Sequence, residues 1–341
     1  MQPRFYVSAW VTAGIAAFWL ITPAPGQTAK PAANAANTAK SWNPPRAADG
    51  HTDLQGYWTN ATFTPVERPP ALGNKEFYTE AEAAAFEKDR IAKENSQAKT
   101  DIHYDNVVWQ SENYPKGSAS LRTSLIFDPP DGRIPALSPE GQKRAVAVAE
   151  AGRRRNAAES ADSRTLAERC ISWGAKGPPM LGSTYNANLQ IVQNAATVLI
   201  YSEIDGARII HMDGSHPSRG VQQLAGDSRG HWEGDTLVVD STNFTDRTNF
   251  RGPPATTRQD IFSSASLHVV ERFTRVEPGA ILYRFTVEDP ATWTKPWSGE
   301  LVMRQMEGPI YEYACHEGNY GLMNILAGAR AAEAAAQKAS K

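Results

Sequence analysis

From Asn188 onward the chain is a succession of short strand-like runs with turn formers at most joints and no helical pattern between them. The runs are 188–193, 197–203, 207–213, 236–244, 266–276, 280–288, 299–306 and 310–316, rich in β-branched and aromatic residues. Sequential strands on short connections pair antiparallel. So many in a row must close into an up-and-down barrel or bend into a strongly curved sheet, with alternate residues facing the interior. No repeat at blade length is visible, which argues against a propeller. The expected fold is therefore mainly β.

The first half reads differently. Asp53-Leu54-Gln55-Gly56-Tyr57-Trp58 starts the folded part as a short strand, and its Gly-x-Trp resembles the opening signature of lipocalin-type barrels. Thr79 with Glu82 makes a capping box ahead of an Ala/Glu/Lys-rich run to about Ala98. Ser138-Pro139-Glu140 starts a second helix that extends to about Ala157, and a shorter one covers Arg164 to Arg169. These elements predict a helical, loop-rich insertion over 78–180 packed on a single lipocalin/calycin-like domain over 51–330. An Ala-rich tail, 331–341, follows as a fraying helix.

Ahead of the domain, Arg4 followed by the apolar stretch Phe5 to Ile21 and the small residues of 23–29 reads as a cleaved export signal over 1–29. An Ala/Asn/Pro-rich linker over 30–50 comes next. A periplasmic or secreted protein, free of the membrane once the signal is removed, is expected. Both cysteines, Cys170 and Cys315, lie in the exported part. Oxidising surroundings allow them to pair, and two buried thiols are the alternative. A net charge of -2 lacks the basic footprint of a nucleic-acid binder. No Walker loop, Rossmann fingerprint or Cys-x-x-Cys-His occurs, so no cofactor is expected.

Chemistry-bearing residues concentrate in two stretches. In Gly226–Phe244, Asp227, Arg229 and His231 sit on what reads as a Gly-punctuated loop feeding the strand from Thr236, with Glu233-Gly234-Asp235 as the turn. In 310–320, His316 and Glu317 stand where a last strand reaches the barrel rim. Period-2 counting places Glu271 with Leu267, Val269 and Phe273, and Tyr283 with Ile281, Phe285 and Val287, on inward faces. An inward carboxyl is pushed by burial toward the range useful for acid/base work. His211, Asp213 and His216 carry donors suited to a divalent metal, set against the plainer reading of a solvated strand end before Gly214.

Taken together, Arg169-Cys170, Gly177-Pro178-Pro179-Met180, the Gly226–Phe244 stretch, Val270-Glu271-Arg272-Phe273 and Tyr311–Tyr320 resemble a family of exported proteins of soil proteobacteria and acidobacteria. The resemblance covers about residues 50–330; it carries over no catalytic residue, and implies plant-derived aromatics or glycosides as ligands. The residues themselves point to a metal-free acid/base lyase or isomerase acting on a small hydroxylated aromatic or glycosylated compound. Glu271 or His316 would take a proton, His216 or Tyr283 would give one, and Arg229 beside Asp227 would offset negative charge. Two further readings stand beside it. One is a glycoside-cleaving enzyme pairing Glu271 with Asp240 or Glu317; the other is a non-catalytic ligand carrier of lipocalin type.

Overall fold

The computed structural model describes residues 42–95, 120–183, 186–212, 214–247, 249–250 and 261–339. The stretch read as an export signal and most of that read as a linker lie outside them. The chain divides after Trp42, and the unit from Asn43 is the one described below.

Its strands are β1 (Gly56–Thr59), β2 (Ile126–Asp128), β3 (Asn188–Gln193), β4 (Thr197–Ser202), β5 (Gly206–His211), β6 (Asp227–Glu233), β7 (Thr236–Thr242), β8 (Asn249–Phe250), β9 (Ile261–Phe262), β10 (His268–Glu277), β11 (Ala280–Glu288) and β12 (Trp297–Gln305). The helices are α1 (Glu80–Asn95), α2 (Pro139–Asn156) and α3 (Tyr320–Ala339). None of the described helices is long and apolar enough to cross a membrane.

Nine strands close a barrel in the order β1-β3-β4-β5-β6-β7-β10-β11-β12, with β12 pairing back to β1. The expected mainly-β barrel is what forms. Every neighbouring pair is antiparallel except β5 and β6, which run parallel through Ile210↔Ser228 and His211↔Arg229. That exception is forced by the odd strand number, because an all-antiparallel ring closes only with an even one. β2 adds to β12 outside the ring, and β8 pairs with β9 apart from it.

The alternation predicted for the long strands holds. Val269, Glu271 and Phe273 of β10 and Ile281, Tyr283, Phe285 and Val287 of β11 are buried. The interior is filled by side chains: Trp58, Leu189, Ile200, Ile210, Val239, Trp297, Leu301 and Met303 join the same core cluster. Gly299 sits opposite Phe285 in register, and the absence of a Cβ there leaves room for the ring.

Two helix starts follow their sequence signals. Thr79 Oγ1 accepts from the Glu82 amide at 3.3 Å while Glu82 Oε2 accepts from the Thr79 amide at 2.8 Å. Ser138 Oγ caps α2 by accepting from the Gly141 amide at 2.9 Å, and its hydroxyl donates to the Ala291 carbonyl at 2.8 Å, which ties the helix start to the barrel.

Four expectations are corrected. Residues 227–233 are strand rather than loop: Gly230 lies inside β6, where a Cβ would stand 2.7 Å from Met212 Sδ. The strand expected at 310–316 is coil and turn, because β12 already pairs with β1 and the closed ring leaves no edge for it. Residues 164–169 form a hydrogen-bonded turn rather than a helix, and α3 begins at Tyr320, earlier than the tail suggested.

Candidate functional site

The predicted site residues occupy three separate places. The first is the barrel interior. Arg208 of β5 lies across both carboxylate oxygens of Glu271, with Nη1 at 3.0 Å from Oε1 and Nη2 against Oε2. Tyr283 Oη donates to Glu271 Oε1 at 2.7 Å and accepts from the Met180 amide at 2.8 Å. Ser228 and Ser241 complete the set, accepting from Arg208 Nε and Nη2 at 3.1 and 3.2 Å. The Arg208 and Glu271 side chains are 2% and 0% exposed. Burial, and then the charge of Glu271, push the Tyr283 hydroxyl well above its usual value, so its proton stays on. This cluster ties five strands to the Met180 loop, and its groups are occupied by one another.

The second place is the outer face of the wall. His216, in the connection between β5 and β6, sits between two carboxylates: Nδ1 is 3.0 Å from Asp227 Oδ2 and Nε2 is 2.9 Å from Asp240 Oδ1. Arg229 donates to Asp227 from Nε and Nη2, at 2.7 and 3.0 Å. His268 Nε2 lies 2.7 Å from Asp240 Oδ2, and its Nδ1 3.7 Å from Glu288. Burial pushes the Asp227 carboxyl up, but the bonds from Arg229 and His216 outweigh it and hold it below the usual carboxylate value. The His268 bond holds Asp240 below its usual value against burial, and the same bond raises His268. The structure thus brings Asp227, Arg229 and His216 together with Asp240 and His268, apart from Glu271 and Tyr283. Asp240 and Glu271 project to opposite faces of the wall, since Glu271 lies opposite Val239 in register, so they form no carboxylate pair.

Of the possible metal ligands, His211 is exposed on β5 and Asp213 lies outside the described residues. Among the described residues no group of three His, Cys, Asp or Glu is placed to hold a metal.

The third place is a groove of about 1070 Å³ beside a disulfide. Cys170 and Cys315 are bonded, with Cα atoms 5.6 Å apart across 145 residues of chain. One wall is the end of α2 (Arg155, Asn156) and the turn around Glu168; the other is the segment from Tyr311 to Asn319. Thr165 and Glu168 fold that turn with reciprocal bonds of 3.1 and 2.9 Å, and Arg164 pairs with Glu168. Asp205, at the β4–β5 turn, gathers the amides of Trp173, Ala175 and Lys176 and so fixes the floor to the barrel. Asn319 Nδ2 donates to the Glu168 carbonyl at 3.2 Å, which joins the two walls beside the disulfide. Trp173 and Tyr313 meet edge to face at 6.0 Å. Glu317 lines the groove, and His316 is exposed on the turn beside it.

The sequence leaves open whether Cys170 and Cys315 pair, and the structure bonds them; the sequence gives no sign of Arg208, His268, Arg155 or Trp173 as site residues. A carboxylate on an inward face implies a cation beside it, because a buried charge goes unpaired only at great cost. Nothing local marks the other three. No family model matches the chain, and neither a curated protein nor a solved structure matches it.

Proposed function

We propose that the protein is exported and binds a small hydroxylated aromatic or glycosylated compound in the groove bounded by the Cys170–Cys315 disulfide. The observation that carries this is the lining: the Trp173 and Tyr313 rings share one volume with the Arg155 guanidinium and the Glu312 and Glu317 carboxylates. Rings offer flat apolar contact, and the few polar groups fix orientation. The disulfide supports an oxidising compartment. Because the barrel core is filled, the ligand sits outside the barrel rather than within it.

An acid/base enzyme is the second reading, favoured by the presence of Glu317 in the same groove as Arg155. There Glu317 would move the proton and Arg155 would offset developing negative charge, as a lyase or isomerase requires. The interior Glu271 is a poorer candidate, with Arg208 and Tyr283 on its oxygens.

A thermal-shift screen of phenols and phenolic glycosides tests the binding reading, followed by titration calorimetry. Trp173→Ala and Tyr313→Ala are each expected to weaken binding about tenfold or more, the size of one lost aromatic contact. Glu317→Gln should keep binding and lose any turnover. Hits that bind both aromatic variants as tightly as the wild type would put the ligand elsewhere.

A further inference from the structure

Resting on that reading, we infer that the natural ligand is a neutral oligosaccharide laid along the groove, rather than a single small aromatic ring inserted into it. The shape is the first argument. A drug-sized ligand usually has 70–90% or more of its surface buried in its pocket. This groove is open on one side, where Tyr311 stands 77% exposed, and its lining runs from the end of α2 past the disulfide to Asn319. An open trough gives a short ligand little burial, while a chain gathers contacts along its length.

The lining is the second argument. Trp173 and Tyr313, packed edge to face at an interplanar angle of 82°, put two aromatic rings in the lining. A pyranose ring has an apolar C–H face suited to such a surface and a rim of hydroxyls that both donate and accept. The groove supplies both kinds of partner, with Arg155 and Asn186 as donors and Glu312 and Glu317 as acceptors. A ligand of one charge would be attracted by one of these sets and repelled by the other; a neutral polyol meets both.

The third argument separates a glycan from a peptide. Extended peptides commonly dock by adding to a sheet edge. The walls here are a helix end, a hydrogen-bonded turn and coil, and no strand of the barrel contributes a ladder to the groove. Arg164 and Glu168 are committed to each other, and Asn319 to the Glu168 carbonyl and Cys170 Sγ. They build the wall and leave recognition to Trp173, Tyr313, Arg155, Glu312 and Glu317.

The test is calorimetry on the oxidised, signal-free chain with cello-, xylo- and chito-oligosaccharides, from each monosaccharide to the hexasaccharide, beside free phenols and phenyl glucosides. In at least one saccharide series Kd should tighten tenfold or more from disaccharide to hexasaccharide. Trp173→Ala and Tyr313→Ala should each flatten that dependence, with unchanged circular dichroism as the control for folding. Reduction of the disulfide should weaken the longest ligand most, since it frees one wall from the other. Binding of phenols or phenyl glucosides without any gain along the saccharide series overturns the inference and leaves the binding reading intact. No binding by any probe overturns both.

Discussion

Arg208 and Glu271 face each other at the centre of the barrel, and each is affordable there only because of the other. Removing one partner of a buried ion pair leaves an uncompensated charge, which costs about 3–5 kcal/mol. Glu271→Ala should therefore lower the urea-unfolding free energy by about that much, whereas Arg208→Met combined with Glu271→Leu should recover most of it. Binding in the groove should be unchanged in the double variant. If the single variant unfolds like the wild type, the pair holds little of the fold together. The inward direction of Glu271 was legible from the alternation of β10. That of Arg208 was not, because Ala207, Ile209 and Ile210 put apolar groups on both faces of β5. Ile209 is in fact 50% exposed.

Among the elements, the connection from β5 to β6 is the one that departs from hairpin logic. It must carry the chain across so that β6 starts in the same direction as β5, and its fixings are the His216 contacts together with Asn243 Nδ2, which donates to the Pro217 and Ser218 carbonyls at 3.1 and 3.2 Å. Asp240 of β7 is gripped from both sides, by His216 from this connection and by His268 from β10; Glu288 of β11 faces His268 from beyond. His268 is raised, so its contribution is complete below an unfolded-state pKa of about 6.5 and is lost as pH rises through the higher folded value. Asp240 is lowered, so its contribution is present above about pH 3.9 and is lost as pH falls through the lower folded value. Together they stabilise most between about pH 4 and 6.5. The stability difference between wild type and His268→Gln should be about 0.2–1 kcal/mol in that window, the range for half-exposed pairs, and should shrink by about pH 9. Urea unfolding at several pH values checks this, and a difference that grows toward alkaline pH would contradict the pairing.

At the scale of the whole molecule, closure rests on a short strand. β1 contributes Gly56 to Thr59, pairing with β3 on one side and through Trp58↔Gln305 and Thr59↔Arg304 with β12 on the other. Deleting the chain through Thr59 removes Trp58 from the core, a loss of about 3–5 kcal/mol for such a side chain, and bares the edges of β3 and β12. Unpaired edges invite other chains to pair with them, so size-exclusion chromatography should show oligomers or aggregate; a compact monomer would mean that the ring does not depend on β1. The sequence by itself determined most of the strands but not β6, most of their inward faces and two helix caps, because alternation and capping are local physics written in neighbouring residues. The tertiary structure alone decided the odd strand number with its parallel pair, the absence of a strand at 310–316, the partner of Glu271 and the groove at the disulfide. Each of these depends on which distant segments meet when the ring closes, and no run of adjacent residues carries that information.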